Sequence, residues 1–472
     1  MRQAVSTPPP QPALPSYRRA WAAAPAARVD MYSLTQPHAV KAETHAVDAA
    51  VAALPVRIDL RSDTVTKPTA AVSTARCFGL RGAAALPGQS WQLQPWGRAA
   101  LRGAHLAAQR RDAPAEAPLC AARALLCFWR AVRSRRGVAQ MRAAMAAAEV
   151  GDDVMGDDPT VQRLERETAQ LLGKAAGLFV PSGTMSNLLA VCTWCSERGS
   201  EFVVGSAAHI HIYEQGGTAS LGGVHPRVVP NAEDGTMRLA DIEACVRPDD
   251  VHFAQLRLVC LETTHNKCGG VPLPLDYIDA VGALTKRHGL ALHIDGARIC
   301  NAAVALGEPV ARVAAAADSV SVCLSKGLGA PVGSVLVGPA DFILKARRLR
   351  KALGGGMRQA GVIAAAGLVA LEEILPRLGE DHANMTRLAA GLNSVPGVSL
   401  RGGEAPRTNI AFLELAPSIE FAELQAELRK RGIAVSGAPG LMRVVTHHQV
   451  SAEDVDEVVT AFRAICTPMF FD

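Results

Sequence analysis

The sequence predicts an α/β protein with a mostly parallel sheet, followed by a smaller α+β region. Three observations predict this class. From about residue 151, short apolar strand patterns alternate with longer helical patterns, glycine turns separate them, and a second group of strands begins near residue 396. With 472 residues, of which 49% are hydrophobic and 20% charged, the chain can bury a large core.

The predicted elements alternate along most of the chain. In order, they are a helix at 160–172, a strand at 177–180, a helix at 182–195, strands at 202–204 and 256–261, a helix at 275–288, and strands at 290–294, 319–324, 409–415 and 441–445. Helices that lie between strands can serve as crossover connections, which a parallel sheet requires. We therefore predict a large domain at 141–385 and a small C-terminal domain at 386–472.

Composition argues against several classes of partner. The net charge of +5 is small for this length and aromatic residues make up 4%, so neither an electrostatic footprint nor a base-stacking platform for nucleic acid is indicated. No apolar run of about 18 residues predicts a membrane span. The 11 cysteines are scattered, which favours a reducing compartment, and we assign no metal site.

The first part of the chain allows two interpretations. Residues 1–56 are rich in Ala, Pro and Arg, and the first acidic residue is Asp30. This composition resembles an organelle transit peptide, but a disordered extension explains it equally well. The location therefore stays open between the cytoplasm and an organelle. Residues 57–71 would form an N-terminal arm that reaches the active site.

Residues 72–140 look inserted. The segment is rich in Ala and Arg and lacks sustained periodicity, although 118–132 could form a short helix. The residues on either side would read as one turn and a helix if joined, and the edges can be encoded with splice-site letters. We hypothesise a retained intron translated in frame. The alternative is a genuine surface insertion, which loop-closure entropy tolerates. Neither interpretation gives the segment a function.

A single lysine in a glycine-rich segment is a candidate catalytic residue. Residues 323–334, CLSKGLGAPVGS, place Lys326 among glycines directly after a predicted strand. An ordinary loop cation in solvent is one interpretation. The other is an amine in a confined pocket, where its neutral form can make a Schiff base.

Two further groups also follow predicted strands. Ser182, Gly183 and Thr184 join a strand to a helix, where free N–H groups could hold a phosphate, although Ser and Thr are also common helix caps. Asp295 follows another strand, with Arg298 one turn on. Its carboxylate could accept a hydrogen bond from a protonated ring nitrogen, or pair structurally with Arg298.

The order of these three groups along the chain indicates a class of enzyme more specifically than any one group does alone. A phosphate cup, a strand-end aspartate and a strand-end lysine, in that order, are the parts of a pyridoxal 5'-phosphate enzyme of the aspartate-aminotransferase-like fold type I. Lys326 would then attach the cofactor.

The chain closely resembles the threonine aldolases, particularly the plant-type low-specificity enzymes, over residues 58–71 and 141 to about 462. The matching stretches are DLRSDTVTKPT, EVGDDVMGDDPTV, FVPSGTMSN, HIHIYEQGGTASLGGVHP, CLETTHNKCGG, HIDGARICNA, CLSKGLGAPVGS, RKALGGGMRQAG and RVVTHH. The resemblance implies cleavage of L-threonine or L-allo-threonine to glycine and acetaldehyde, in threonine catabolism or glycine biosynthesis. It also implies a homotetramer whose active sites are shared between subunits.

The resemblance further implies roles for individual residues. His209 would stack on the pyridine ring and His265 would lie near the substrate hydroxyl, so either could act as general base. The remaining implied roles concern charge: Ser62, Arg298 and Arg443 for the substrate carboxylate, Arg298 also for the cofactor, and Arg358 and Lys351 for a neighbouring subunit's cofactor phosphate.

One departure concerns specificity. Many bacterial members have tyrosine where this chain has Met155, which puts stereochemistry at the β-carbon in doubt. Three alternatives to the aldolase stay open: a serine hydroxymethyltransferase-like enzyme, a β-eliminating lyase of the same fold type, and a catalytically inactive pyridoxal-phosphate-binding scaffold.

Overall fold

The computed structural model describes residues 56–65 and 136–471. The predicted extension at 1–56 and the predicted insertion at 72–140 lie almost entirely outside the described residues, as does the short helix predicted at 118–132. The described part begins again with a helix that starts at Arg136, inside the last five residues of the predicted insertion. The hypothesis of a retained intron stays a prediction.

Thirteen strands lie within the described residues. They are β1 Ile58–Asp59, β2 Ala176–Val180, β3 Ser200–Gly205, β4 His225–Val229, β5 Gln255–Glu262, β6 Ala291–Asp295, β7 Ser319–Cys323, β8 Ser334–Gly338, β9 Val398–Leu400, β10 Ile410–Leu415, β11 Ile433–Ala434, β12 Ser436–Ala438 and β13 Leu441–Val445.

The α-helices of the described residues connect and cover these strands. They are α1 Arg136–Ala147, α2 Pro159–Leu171, α3 Gly183–Trp194, α4 His209–Ile212, α5 Gly217–Ser220, α6 Leu239–Glu243, α7 Leu275–Arg287, α8 Ile299–Leu306, α9 Val310–Ala314, α10 Ala340–Ala352, α11 Gly361–Val369, α12 Leu378–Asn393, α13 Phe421–Lys430 and α14 Ala452–Phe471. Among them, none combines the length and the apolar character needed to cross a bilayer.

The central sheet confirms the predicted fold class. Its seven strands lie in the order β2-β8-β7-β6-β5-β3-β4. The five neighbouring strands β7, β6, β5, β3 and β4 run parallel to one another. Strand β8 is antiparallel to both of its neighbours, β2 and β7. Because the parallel strands all end at one edge, the residues that follow them meet there.

Alternate strand residues serve two different cores. Phe179, Val203 and Val259 face one side of the sheet, where they pack with helices such as α2 and α11. Their neighbours Phe202 and Leu258 face the other side. Both faces of the sheet are therefore covered, as expected of a parallel sheet with helices on either side.

A separate core forms around the antiparallel sheet β12-β13-β10-β9. Strand β1 pairs in parallel with β11, and Ile58 of β1 and Leu60 just after it are buried in this second core. Helix α12 runs across the predicted domain boundary at 385/386: Leu378 belongs to the first core and Leu388 to the second. The pairing of β1 brings the residues that follow it to the edge of the central sheet.

Candidate active site

Lys326 lies in the loop between β7 and β8, three residues beyond the end of β7. The loop is held by backbone hydrogen bonds from Leu324 N–H to the carbonyl of Gly333 (3.0 Å) and from Gly329 N–H to the carbonyl of Lys326 (2.7 Å). Gly329 has a φ of +73°, and a Cβ there would overlap the ring of His448. The glycine therefore lets the loop turn close to the second core, which presents the lysine to the sheet edge.

Two acidic residues end neighbouring strands at this edge. Asp295 closes β6, and Glu262 closes β5 directly beside it in register. Glu262 accepts hydrogen bonds from the backbone N–H of His209 (2.7 Å) and of Asn266 (2.9 Å). One carboxylate thus ties the two loops that carry the predicted histidines to the end of β5.

A single pocket joins six of the predicted residues. Its wall contains Ser62, His209, Asp295, Arg298, Lys326 and Arg443, together with Thr64, Glu262, Thr263, Thr264, Asn266 and Ala297. These residues come from the N-terminal arm, the edge of the central sheet and β13. The pocket therefore depends on both cores.

Arg298 makes a buried ion pair with Asp63 of the arm. Its Nε lies 2.7 Å from Oδ2 of Asp63 and its Nη2 lies 2.5 Å from Oδ1, which is bidentate geometry. Burial by itself raises the pKa of Asp63, but the Arg298 guanidinium outweighs it and lowers this pKa to about 2. Asp295 does not pair with Arg298; it accepts from the N–H of Ala297 (3.1 Å) and from Asn187.

Arg443 approaches the pocket from β13. It donates to the side-chain oxygen of Asn266 (2.6 Å) and to the backbone carbonyl of Arg61 (3.0 Å), and burial lowers its pKa. Both acceptors are neutral, so its positive charge is oriented without being neutralised by them. Ser62 lies on the same wall, where its hydroxyl accepts from Thr64 Oγ1 (3.1 Å).

His209 is held by a buried carboxylate. Its Nδ1 lies 2.9 Å from Oε1 of Glu214, whose side chain is only 2% exposed. The hydrogen bond that Nδ1 donates to Glu214 raises the pKa of His209, and burial raises the pKa of Glu214. Since Nδ1 is engaged, the ring's second nitrogen is the one left for the pocket.

His265 lies behind the pocket wall. Its side chain is fully buried, and its Nε2 is 3.8 Å from Oε2 of Glu262. The preceding residue, Thr264, has a φ of 56°, which is a strained conformation for a β-branched residue, and its hydroxyl donates to the carbonyl of Arg298 (3.0 Å). A direct role of His265 at the substrate hydroxyl stays a prediction.

The start of α3 fits a phosphate. Ser182 caps the helix by accepting from Met185 N–H, so the N–H groups of Gly183 and Thr184 are the ones that the helix itself cannot satisfy. A Cβ at Gly183 would lie 2.7 Å from the sulfur of Cys323, at the end of β7. Gly183, with Ser182 and Thr184 beside it, therefore lies next to the strand that leads to Lys326, although none of the three lines the pocket itself.

The donor set as a whole fits pyridoxal 5'-phosphate. Lys326 can bind its aldehyde, Asp295 its ring nitrogen, His209 its ring face and the start of α3 its phosphate. Arg358 and Lys351 do not line this pocket: Arg358 is 56% exposed and pairs with Asp152 (2.7 Å), and Lys351 is exposed on α10. Met155 is also exposed, at 73%.

Sequence reasoning missed several polar residues around the pocket. They include Asp63, Asn187, Glu214 and Glu262. Of these, only Glu262 could have been found from the sequence. It ends strand β5 as Asp295 ends the neighbouring strand β6, and strand ends carry the ligand-binding residues in this fold. Asp63 and Asn187 act through contacts with residues 235 and 108 positions away, whereas Glu214 lies five residues from its partner His209.

Solved structures share this fold. A putative aromatic amino acid beta-eliminating lyase/threonine aldolase from Exiguobacterium sp. 255-15 superposes with a TM-score of 0.61 at 24% identity, over 70% of this chain and 94% of that one. A putative L-allo-threonine aldolase from Listeria monocytogenes EGD-E gives 0.60 at 21% identity, over 70% and 93%. The fold and the pocket define a pyridoxal-phosphate enzyme of fold type I.

Comparison with related sequences shows which family of these enzymes the chain belongs to. The model of the beta-eliminating lyase family matches residues 134–416. A probable low-specificity L-threonine aldolase 2 from Arabidopsis thaliana is 54% identical over 330 residues, covering 69% of this chain and 93% of the relative. The low specificity L-threonine aldolase of Escherichia coli K12 is 44% identical over 324 residues, covering 69% and 94%. The chain belongs to the beta-eliminating lyase family and, within it, to the threonine aldolases.

Proposed function

We propose that this chain is a pyridoxal-phosphate-dependent aldolase that cleaves L-threonine or L-allo-threonine to glycine and acetaldehyde. The observation that carries the proposal is the pocket, which joins Lys326 and Asp295 with two arginines and a histidine. Relatives that carry the name of this activity support it. The bound cofactor supplies an electron sink for the charge left on Cα when the Cα–Cβ bond breaks.

The arginines fix the substrate. Asp63 occupies the Nε and Nη2 edge of Arg298, which leaves its Nη1 for the substrate carboxylate. Arg443 adds a second guanidinium from the opposite core, and Ser62 adds a hydroxyl. A carboxylate held from two sides has a fixed orientation, and that orientation decides which bond at Cα breaks.

His209 and Asp295 are the groups that would take and hold protons in this reaction. His209, oriented through Nδ1 by Glu214, offers its other nitrogen to the β-hydroxyl proton. Asp295, which accepts hydrogen bonds from Asn187 and from the N–H of Ala297, would hold the ring nitrogen of the cofactor and favour a proton there. The departing aldehyde takes no charge with it, because the hydroxyl proton has been removed.

The test is a product assay on the purified full chain. With threonine alone, and without folate or a keto acid, we expect glycine and acetaldehyde in equal amounts. Lys326→Ala should abolish both the visible absorbance of the bound cofactor and the activity, whereas Lys345→Ala, on the exposed face of α10, should change neither. Ammonia with a keto acid would instead indicate β-elimination, and absorbance without turnover would indicate a scaffold.

We also propose a homotetramer in which Arg358 and Lys351 serve a neighbouring subunit's cofactor phosphate. The exposure of Arg358 and its absence from the wall of its own pocket support this. Mixing Lys326→Ala subunits with Arg358→Ala subunits tests it, because shared sites would include some with both residues intact. Activity recovered on mixing is expected; two variants that stay inactive together would contradict the shared site.

For location we propose the cytoplasm or an organelle, decided by residues 1–56. Fluorescence of the full chain and of a chain lacking these residues, each fused to a reporter, distinguishes the two. The reaction places the enzyme in threonine breakdown or glycine supply.

A further inference from the structure

One buried side chain contacts both Asp295, in the pocket wall, and Glu214, which lies behind it. Asn187 lies on α3 and is 2% exposed. Its Nδ2 lies 2.9 Å from Oε1 of Glu214 and 3.0 Å from Oδ2 of Asp295. Glu214 in turn holds His209, so a single amide connects the carboxylate at the ring nitrogen with the histidine at the ring face.

The direction of every hydrogen bond in this network is fixed by chemistry. The NH2 group of Asn187 donates to Glu214 and to Asp295, so its side-chain oxygen faces Nε2 of His293 (3.2 Å). His293 must then donate from Nε2 and accept at Nδ1 from the hydroxyl of Ser319 (2.9 Å). The oxygen of Ser319 accepts from the indole N–H of Trp194 (2.9 Å).

The same pattern explains how two buried carboxylates stay side by side. The ligand atoms of His209, Glu214 and Asp295 all lie within 4.8 Å of one another, a spacing that could hold a metal ion. Instead, the amide of Asn187 places one N–H on each carboxylate. Burial also keeps His293 neutral, because it lowers this pKa to about 4, so the network retains one tautomer at working pH.

We propose that Asn187 is the positioning residue that sets Asp295 and the Glu214–His209 pair at a fixed separation, with His293 fixing the orientation of its amide. The proposal rests on the proposed function in that the pocket holds the cofactor between these two groups. It adds that the groups for the ring nitrogen and for the ring face are aligned by one side chain that does not itself line the pocket.

The test uses the full-length holoenzyme with Asn187→Ala and a matched control. Ser186 is the adjacent residue on α3, is also buried, and its hydroxyl makes no hydrogen bond within the described residues, so Ser186→Ala removes a buried polar group outside the network. For Asn187→Ala we expect the cofactor Kd to rise about 10-fold and kcat to fall about 10- to 100-fold. KM should change little, because Arg298 and Arg443 are untouched.

A spectroscopic readout separates positioning from general packing. Solid-state NMR of the holoenzyme loaded with ¹⁵N-labelled pyridoxal phosphate should show a protonated ring nitrogen in the wild type and in Ser186→Ala, and a shift toward the unprotonated signal in Asn187→Ala. An unchanged ring signal and Kd in Asn187→Ala would overturn the proposal, as would equal effects of both substitutions.

Neutron diffraction of the wild-type holoenzyme covers the case in which Asn187→Ala does not fold. The proton on His293 should lie on Nε2, and both amide protons of Asn187 should point at the carboxylates. A proton on Nδ1 of His293 alone would overturn the proposal. A wild type that binds the cofactor but does not cleave threonine would refute the proposed function and leave this arrangement standing.

Discussion

The ion pair between Asp63 and Arg298 predicts a large cost for removing one charge. Asp63→Asn keeps the shape of the side chain but leaves the Arg298 guanidinium, which is 7% exposed, without its charged partner. Breaking a buried pair in this way typically destabilises a protein by about 3–5 kcal/mol. The structure gives a second route to the magnitude: a pKa lowered from 3.8 to about 2 corresponds to about 2 kcal/mol of stabilisation.

The sign of the pH dependence follows from the same shift. Because the folded-state pKa of Asp63 lies below its ordinary value, its stabilising effect is fully present above about pH 4 and is lost as the pH falls through about 2. The wild type should therefore exceed Asp63→Asn by about 2–5 kcal/mol at about pH 7, and the difference should narrow by about 2 kcal/mol under acid conditions.

Urea unfolding of the two holoenzymes, followed by circular dichroism at several pH values, measures this difference. Asp59→Asn is the control, because Asp59 lies on the same arm but pairs with the exposed Arg61, an interaction expected to contribute about 1 kcal/mol or less. A loss at Asp63 no larger than the loss at Asp59, or a difference between wild type and Asp63→Asn that does not change with pH, would refute the reasoning.

Three further predictions concern the reaction. Glu214→Gln should lower the pKa of His209, because the hydrogen bond that raises it is weakened, so the acid limb of the kcat/KM profile should move to lower pH; an unmoved limb would exclude His209 as the base. Asp295→Asn should retain bound cofactor but turn over about 100-fold more slowly, by stopped-flow assay, and full activity would remove its electrostatic role. Arg443→Lys should raise KM for threonine about 10-fold with a smaller effect on kcat, because a lysine cannot reproduce the guanidinium contacts; equal KM values would argue against carboxylate binding.

Strands with a clear apolar pattern in their own sequence could be predicted closely. The strand predicted at 441–445 is β13, and the strand predicted at 177–180 differs from β2 by one residue. Strand β4 was not predicted. It lies at the edge of the sheet and its first four residues are exposed or only partly buried, so its sequence, HPRVV, lacks a clear apolar pattern.

The residues of the site likewise include some that the sequence could predict and some that it could not. Asp295 and Lys326 could be predicted because each lies at or just beyond the carboxyl end of an apolar strand, and these strand ends converge in this fold. Asp63 could not, because its partner Arg298 lies 235 residues away and no local pattern reports such a contact. Asn187 was hidden for another reason: its helix turn reads as an ordinary apolar segment, and only the packed structure shows that its amide faces two carboxylates.

The pairing of β1 with β11 has a consequence for biosynthesis. Arg61 on the arm is 382 residues from Arg443, its hydrogen-bond partner on β13, and a ribosome adding about 5–20 residues per second needs about 20 to 80 s to cover that distance. During this time the nascent chain exposes an arm whose apolar residues have nowhere to pack, and Arg298 emerges before the second core exists. The substrate-binding wall can therefore form only after β13 has been synthesised, so a chain that stops before β13 should be inactive.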